Sequence, residues 1–254
     1  MKHERSESAD GRPIGCYAVA LLTGVSLVCL IVFLPPIEQS RGAARHSMCR
    51  NNLKRIGLAL HYYNQEWGSL PPAATYGPDG QPWHSWRALI LPQMTGQNMH
   101  GAASSQLDEV AEAYRFDEPW DGPHNRELHA IEVRDFRCPE DPPRQPEPGH
   151  QSDASYLAVV GPGTMFPPDA AESVSAAHDD LTETILLVER FDSRVHWMQP
   201  FDLNDSDLIP KRDGKGMRSY HAEGINVLMA DGSAQCLSKN IREESLRNLL
   251  LRNK

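Results

Sequence analysis

Residues 14–68 read IGCYAVALLTGVSLVCLIVFLPPIEQSRGAARHSMCRNNLKRIGLALHYYNQEWG, and their reading decides the fold. The stretch opens with 21 uncharged residues, 14–34, and turns polar after Pro35-Pro36. About 20 apolar residues at roughly 1.5 Å rise cross a hydrocarbon core of ~30 Å. The first part therefore has the length of a membrane-spanning helix. The second part carries a helical stripe. Cys49, Leu53, Ile56, Leu60, Tyr63 and Trp67 follow at steps of 4, 3, 4, 3 and 4, which puts them on one face. Asn51, Asn52, Arg55 and Asn64 fall largely elsewhere, with Asn52 expected on the opposite, polar side. Gly68 supplies a stop and Pro71-Pro72 prevents resumption. The spacing predicts one long helix, crossing a membrane over 14–34 and lying on a soluble domain over 38–67.

The uncharged run exceeds the roughly 7–15 residues of a signal-peptide core and ends FLPP rather than at a small-x-small site. A retained anchor is expected. Three basic and three acidic residues precede it in 1–13, a balance that leaves orientation open. Residues 35–55 carry Arg41, Arg45, Arg50, Lys54 and Arg55 against Glu38, while the rest of the chain has 17 basic against 30 acidic side chains. An acidic domain argues against nucleic-acid binding, which needs a basic footprint. The basic stretch suits anionic headgroups or a solvated helix face.

Beyond the helix, 69–82 reads as loop and 83–94 as a short helix ended by Pro92. Leu107, Val110, Ala111 and Tyr114 mark a helix within 104–116. Residues 117–125 are an acidic loop, and five prolines make 139–150 a surface excursion. Residues 155–160 and 185–188 are continuous apolar runs, read as buried strands. Residues 225–238 read as a hairpin, with Asp231-Gly232 as a two-residue turn. Residues 241–251 form a short helix with Asn240 as N-cap and Glu243 at N3. Cys49, Cys138 and Cys236 lie outside the uncharged run without a C-x-x-C pair, so the linear sequence shows no zinc pattern.

Three stretches carry a resemblance. The first is RGAARHSMCRNNLKRIGLALHYYNQEWGSLPP over 41–72. The second combines HSWRALILPQM, FDEPWDGPHN and FRCPEDP over 84–142. The third is SYLAVVGPGTMFP, then TETILLVE, then SYHAEGINVLMADGS. In the last, His221 is followed after nine residues by Asp231-Gly232. Together they resemble the pilin-like "domain of unknown function 1559" family, also labelled as a solute-binding-protein family, over nearly all of the chain past residue 40. The resemblance implies an α+β fold in which the N-terminal helix packs on an antiparallel β-sheet. It also implies a short cytoplasmic tail, 1–13, and an extracytoplasmic domain, 35–254, at the cytoplasmic membrane. The family's prepilin-type start has a cut-site glycine and a glutamate at the fifth mature position. Here Gly15 is followed by Cys16, the fifth residue is Ala20, and 14–34 holds no acidic residue.

Cys49 and Cys138 sit in family-like motifs. Outside the cytoplasm they would form a disulfide holding the helix to the loop after Phe136; two buried free thiols are the competing reading. Asp117, Glu118, Asp121 and Asn125 surround Trp120 in a loop that looks like the aspartate-proline-tryptophan-glycine loop of major pseudopilins. These are oxygen ligands of the kind calcium takes, against a solvated turn anchored by Trp120. His221, Asp231 and Gly232 invite a metal or acid–base reading. A strand between His221 and the turn separates them, which favours structural roles. Neither the serine-nucleophile signature G-x-S-x-G nor the zinc-binding H-E-x-x-H is present. The expectation is a membrane-anchored structural or envelope-assembly protein, not an enzyme, with no obligatory cofactor and with self-association through 14–67. The alternative is a tethered solute- or glycan-binding module.

Overall fold

The computed structural model describes residues 14–95, 105–141, 152–168, 171–172, 174, 181–208, 219–221 and 223–252. The expected tail 1–13 and most of the proline-rich 139–150 lie outside them. The chain divides into two compact units, 1–44 and 45–254. Helix α1, Ile14–Trp67, contributes to both. Among the described residues no helix is long and apolar enough to cross a membrane, and many side chains of 14–41 lie outside the described set. In the first unit Val19, Leu21, Leu22, Val25 and Leu27 are each more than half exposed.

The second unit is α+β. A small antiparallel pair, β1 (Ala74–Tyr76) and β2 (Pro82–Ser85), leads into helices α2 (Trp86–Leu89), α3 (Leu91–Met94) and α4 (Ser105–Ala113). The main sheet contains β3 (Tyr156–Val160), β4 (Ile185–Glu189), β5 (Leu203–Asn204), β6 (Ile225–Met229) and β7 (Ala234–Leu237), in the order β5-β3-β4-β6-β7. Helix α5 (Asp205–Leu208) follows β5, and α6 (Glu243–Leu250) follows β7. The sheet is mixed rather than wholly antiparallel. After β4 the chain crosses over through residues 190–202, so β5 runs parallel to β3, while the β3–β4, β4–β6 and β6–β7 pairs are antiparallel.

Alternation along the strands gives the sheet two apolar faces. Tyr156, Ala158, Leu187 and Leu228 join Cys49, Leu53, Ile56, Ala59 and Leu60 of α1 in one cluster. Leu157, Val159, Val188, Val227 and Met229 join Leu246 and Leu250 of α6 in another. A register shift between Ile185 and Leu187 places both Leu186 and Leu187 in the α1 cluster. The helix approaches closely: a Cβ on Gly57 would stand 2.8 Å from Leu228 Cδ1.

The structure corrects several local expectations. Trp67 is 64% exposed although it continues the stripe, because the chain turns at Gly68 and Leu70 takes the buried place. Asn52 is not on a free face; its Nδ2 donates to Arg134 O at 3.0 Å and Arg137 O at 2.9 Å. The 69–82 segment contains β1, and Trp83 belongs to β2. Pro92 opens α3 instead of only ending α2, since the first helical turn needs no donor from it. The β6–β7 connection is a three-residue loop: Met229 N donates to Ser233 O, Gly232 N donates to Met229 O, and Gly232 has φ +83°. A glycine in the left-handed region completes a type I turn with a bulge. Helix α6 begins two residues later than expected, with Arg242 at the N-cap position and no side-chain cap.

Candidate functional site

Four separate parts of the second unit converge beside α1. Helix α1 supplies His46 and Cys49, the segment after Phe136 supplies Cys138 and Glu140, and the end of β4 supplies Glu189. The approach to and start of β6 supply His221 and Asn226. Strand alternation aims these groups. Glu189 lies two residues past Leu187 and Asn226 two before Leu228, so both point to the α1 side of the sheet. Glu189 is 4% exposed, His221 3% and Asn226 0%.

Cys49 and Cys138 are joined by a disulfide across a Cα–Cα distance of 4.9 Å and a sequence separation of 89. Tyr156 Oη donates to Cys49 O at 3.1 Å, and Cys138 N donates to Ser155 Oγ at 3.0 Å, so the bridge is held from β3 as well. His221 lies beside it, with Nε2 at 3.5 Å from Cys138 Sγ. The imidazole sits between two carboxylates: Nδ1 is 2.6 Å from Glu140 Oε2 and Nε2 is 2.9 Å from Glu189 Oε1. Burial alone would lower its pKa, but the hydrogen bonds and charges of Glu189 and Glu140 outweigh burial and raise it above the ordinary value. Asn226 Nδ2 donates to Glu189 Oε2 at 2.7 Å, and Asn226 Oδ1 is 3.3 Å from His46 Nε2. The His46 ring packs on His221 with centroids 4.4 Å apart. The result is a buried polar network joined to a covalent bridge, both fastening α1 to the sheet.

The other motif residues separate from this cluster. Asp231 Oδ1 accepts from Ser233 N at 2.8 Å and stabilises the β6–β7 loop with Gly232. His221 and Asp231 thus serve opposite ends of β6. In the acidic loop, Glu118 closes the turn: Oε1 accepts from Asn125 N at 2.6 Å and His124 N at 2.8 Å, and Oε2 lies 3.1 Å from His124 Nδ1. Desolvation would raise the Glu118 pKa, yet the Asn125 and His124 contacts bring it below the ordinary value. Asn125 is fully buried and donates to Arg115 O and Pro119 O. Two of the four calcium candidates are therefore engaged within the loop, while Asp117 and Asp121 are exposed. Among the described residues, the His, Cys, Asp and Glu groups whose donor atoms converge are Cys49, Cys138, Glu189 and His221, all within 4.8 Å of one another.

Sequence reading missed a second buried centre. Arg87 is 0% exposed; its Nη1 donates to Asp202 Oδ1 at 2.8 Å, and its other nitrogens reach Trp197 O and Phe201 O. Asp202 Oδ1 also accepts from Trp86 Nε1 and Ala158 N, which ties α2 to β3. Burial pushes the Asp202 pKa up to about 6, against the pull of the Arg87 guanidinium. Above it lies a cleft of about 510 Å³ whose wall includes Tyr76, Pro200, Phe201 and Asp202. An arginine inside the apolar run HSWRALILP was the available signal.

Residues 38–184 and 171–244 match the family model described as "protein of unknown function (DUF1559)". The match spans most of the chain, so the chain belongs to that family. No curated protein matches it, and no solved structure does.

Proposed function

We propose that this member of the DUF1559 family is a membrane-anchored, pilin-like structural protein of the cell envelope, not an enzyme. The observation that carries the reading is the fastening of α1 at its entry to the sheet domain. Cys49–Cys138 and the His46–Asn226–Glu189–His221–Glu140 network bind one short length of helix to two strands and a loop. Such a joint transmits force between an anchor and a domain. The uncharged residues 14–34 and the exposure of Val19, Leu21, Leu22, Val25 and Leu27 support lipid contact for the anchor. A disulfide accords with a domain outside the cytoplasm. Small residues Gly24 and Ser26 permit close helix approach, so residues 14–67 are the proposed route of self-association.

The test is fractionation of the full chain in its host with external protease added to intact cells or spheroplasts. A membrane-bound chain whose domain is digested from outside, and which crosslinks to further copies, supports the reading. A chain recovered in the cytosol, or protected from external protease, contradicts it. A second reading, a tethered binding module, rests on the cleft over Asp202. There Trp86 would report a ligand, because its Nε1 donates to the same carboxylate. A saturable tryptophan signal from a monomeric chain with small solutes or glycans would favour that reading.

A further inference from the structure

We propose that Cys49, Cys138, His221 and Glu189 form a zinc site when the disulfide is reduced, so that the joint beneath α1 is held either by a covalent bridge or by a metal. This goes beyond the structural reading above and does not depend on it. The donor set is the one zinc takes: two thiolates, one imidazole and one carboxylate. The four donor atoms lie within 4.8 Å of one another. A tetrahedral zinc, with Zn–S about 2.3 Å and Zn–N or Zn–O about 2.0–2.1 Å, needs donor separations of roughly 3.3–3.8 Å. Parting of the two sulfurs is the main change required, because His221 Nε2 already stands 3.5 Å from Cys138 Sγ and 2.9 Å from Glu189 Oε1.

The surroundings are those of a supported metal centre. His221 presents Nε2 to the cluster and Nδ1 to Glu140 at 2.6 Å, the carboxylate–histidine arrangement that fixes the ring and strengthens it as a ligand. Glu189 presents Oε1 to the cluster, while Oε2 is held by Asn226 Nδ2 at 2.7 Å. All four donor residues are buried. They come from α1, the loop after Phe136, β4 and the approach to β6, so the metal would join the same elements as the disulfide.

The step balances with a dithiol as reductant. The dithiol gives two electrons to the Cys49–Cys138 bond and becomes a cyclic disulfide, releasing two protons. The two thiolates and the neutral Nε2 of His221 bind zinc, and the imidazolium proton leaves to solvent. The Glu189 carboxylate completes the shell.

The experiment uses the full chain in detergent, reduced with a dithiol under argon, desalted and titrated with zinc against a chromogenic chelator. One zinc per reduced chain is expected, with none bound by the oxidised chain. Cobalt in place of zinc should give thiolate charge-transfer absorption. Glu140→Gln should keep the stoichiometry and weaken binding about 10–100-fold. Glu189→Gln, nearly isosteric, should weaken it at least as much, and Cys236→Ser should leave it unchanged. His221→Ala should abolish binding; should that variant fail to fold, Glu189→Gln decides. A reduced chain that binds no zinc overturns the proposal. So does equal binding by the oxidised chain, or binding unchanged by both glutamate replacements.

Discussion

The two faces of the main sheet are covered by different physics. The face toward α6 is aliphatic: Leu157, Val159, Val188, Val227 and Met229 meet Leu246 and Leu250. The face toward α1 begins in the same way at Leu187 and Leu228, then becomes polar at Glu189, Asn226 and His221, beside the Cys49–Cys138 bridge. Hydrophobic contact is non-directional and tolerates sliding. A disulfide and a network of buried hydrogen bonds fix one position. Helix α6 therefore only needs to cover its face, whereas α1 is held at a set register and angle.

The largest expected effect comes from attacking the α1 face at its apolar centre. Ile56 is fully buried, so Ile56→Asp removes an aliphatic side chain and buries a carboxylate. Truncation alone costs about 2–5 kcal/mol and the charge adds to it, against a total of roughly 5–15 kcal/mol. Thermal melting should show an unfolded or severely destabilised domain. Asn51→Asp on the exposed face should change stability by less than about 0.5 kcal/mol. Equal melting of the two variants would mean that α1 does not lie on the sheet.

Breaking the bridge comes next. Cys49→Ala with Cys138→Ala should cost about 2–4 kcal/mol, and non-reducing peptide mapping of the native chain should recover the linked pair. Both cysteines alkylatable without reductant would exclude the bridge. Leu246→Ala on the opposite face should also cost about 2–5 kcal/mol, but by the same amount in the oxidised and reduced proteins. A loss that depends strongly on the redox state would show the two faces to be coupled.

Asn226→Ala is the finer probe. It leaves Glu189 Oε2 without its donor, a loss of about 1–3 kcal/mol in chemical denaturation. A neutral effect would show the network to be incidental.

The smallest effect concerns the acidic loop. Glu118 has a folded pKa below its ordinary value, so its contribution is full above the unfolded carboxylate range near pH 4.3 and is lost as pH falls through the folded value. The melting difference between the wild-type chain and Glu118→Gln should shrink through that acid range, and calcium should not shift either melting curve. Calcium stabilisation lost in Glu118→Gln would make the loop a metal site.

Legibility followed the range of the interactions. Cys49, Leu53, Ile56 and Leu60 were readable because helical periodicity is local, and β3, β4 and β6 because buried strands are continuous apolar runs. Trp67 was misplaced because the helix ends where the chain turns, which periodicity does not record. Asn52 was misread because its partners, Arg134 and Arg137, lie some 80 residues away. The cluster at His221 was only partly legible. Its members come from α1, the 138–140 segment, β4 and β6, and only the fold brings them together. Glu189, a carboxylate closing the buried run ILLVE, was the clue that a polar group there needed a partner. The edge strand β5 was invisible because two residues carry no alternation.

Helix α1 is fastened to the sheet through Cys49–Cys138 and the His221 network. Amide hydrogen exchange of the full chain, oxidised and as the Cys49→Ala, Cys138→Ala variant in zinc-free buffer, tests it most directly. Strong protection of residues 45–60 is expected in the oxidised chain, with a marked loss in the variant, larger than any change in α6. Equal protection of residues 45–60 in both proteins, or a loss confined to α6, would contradict it.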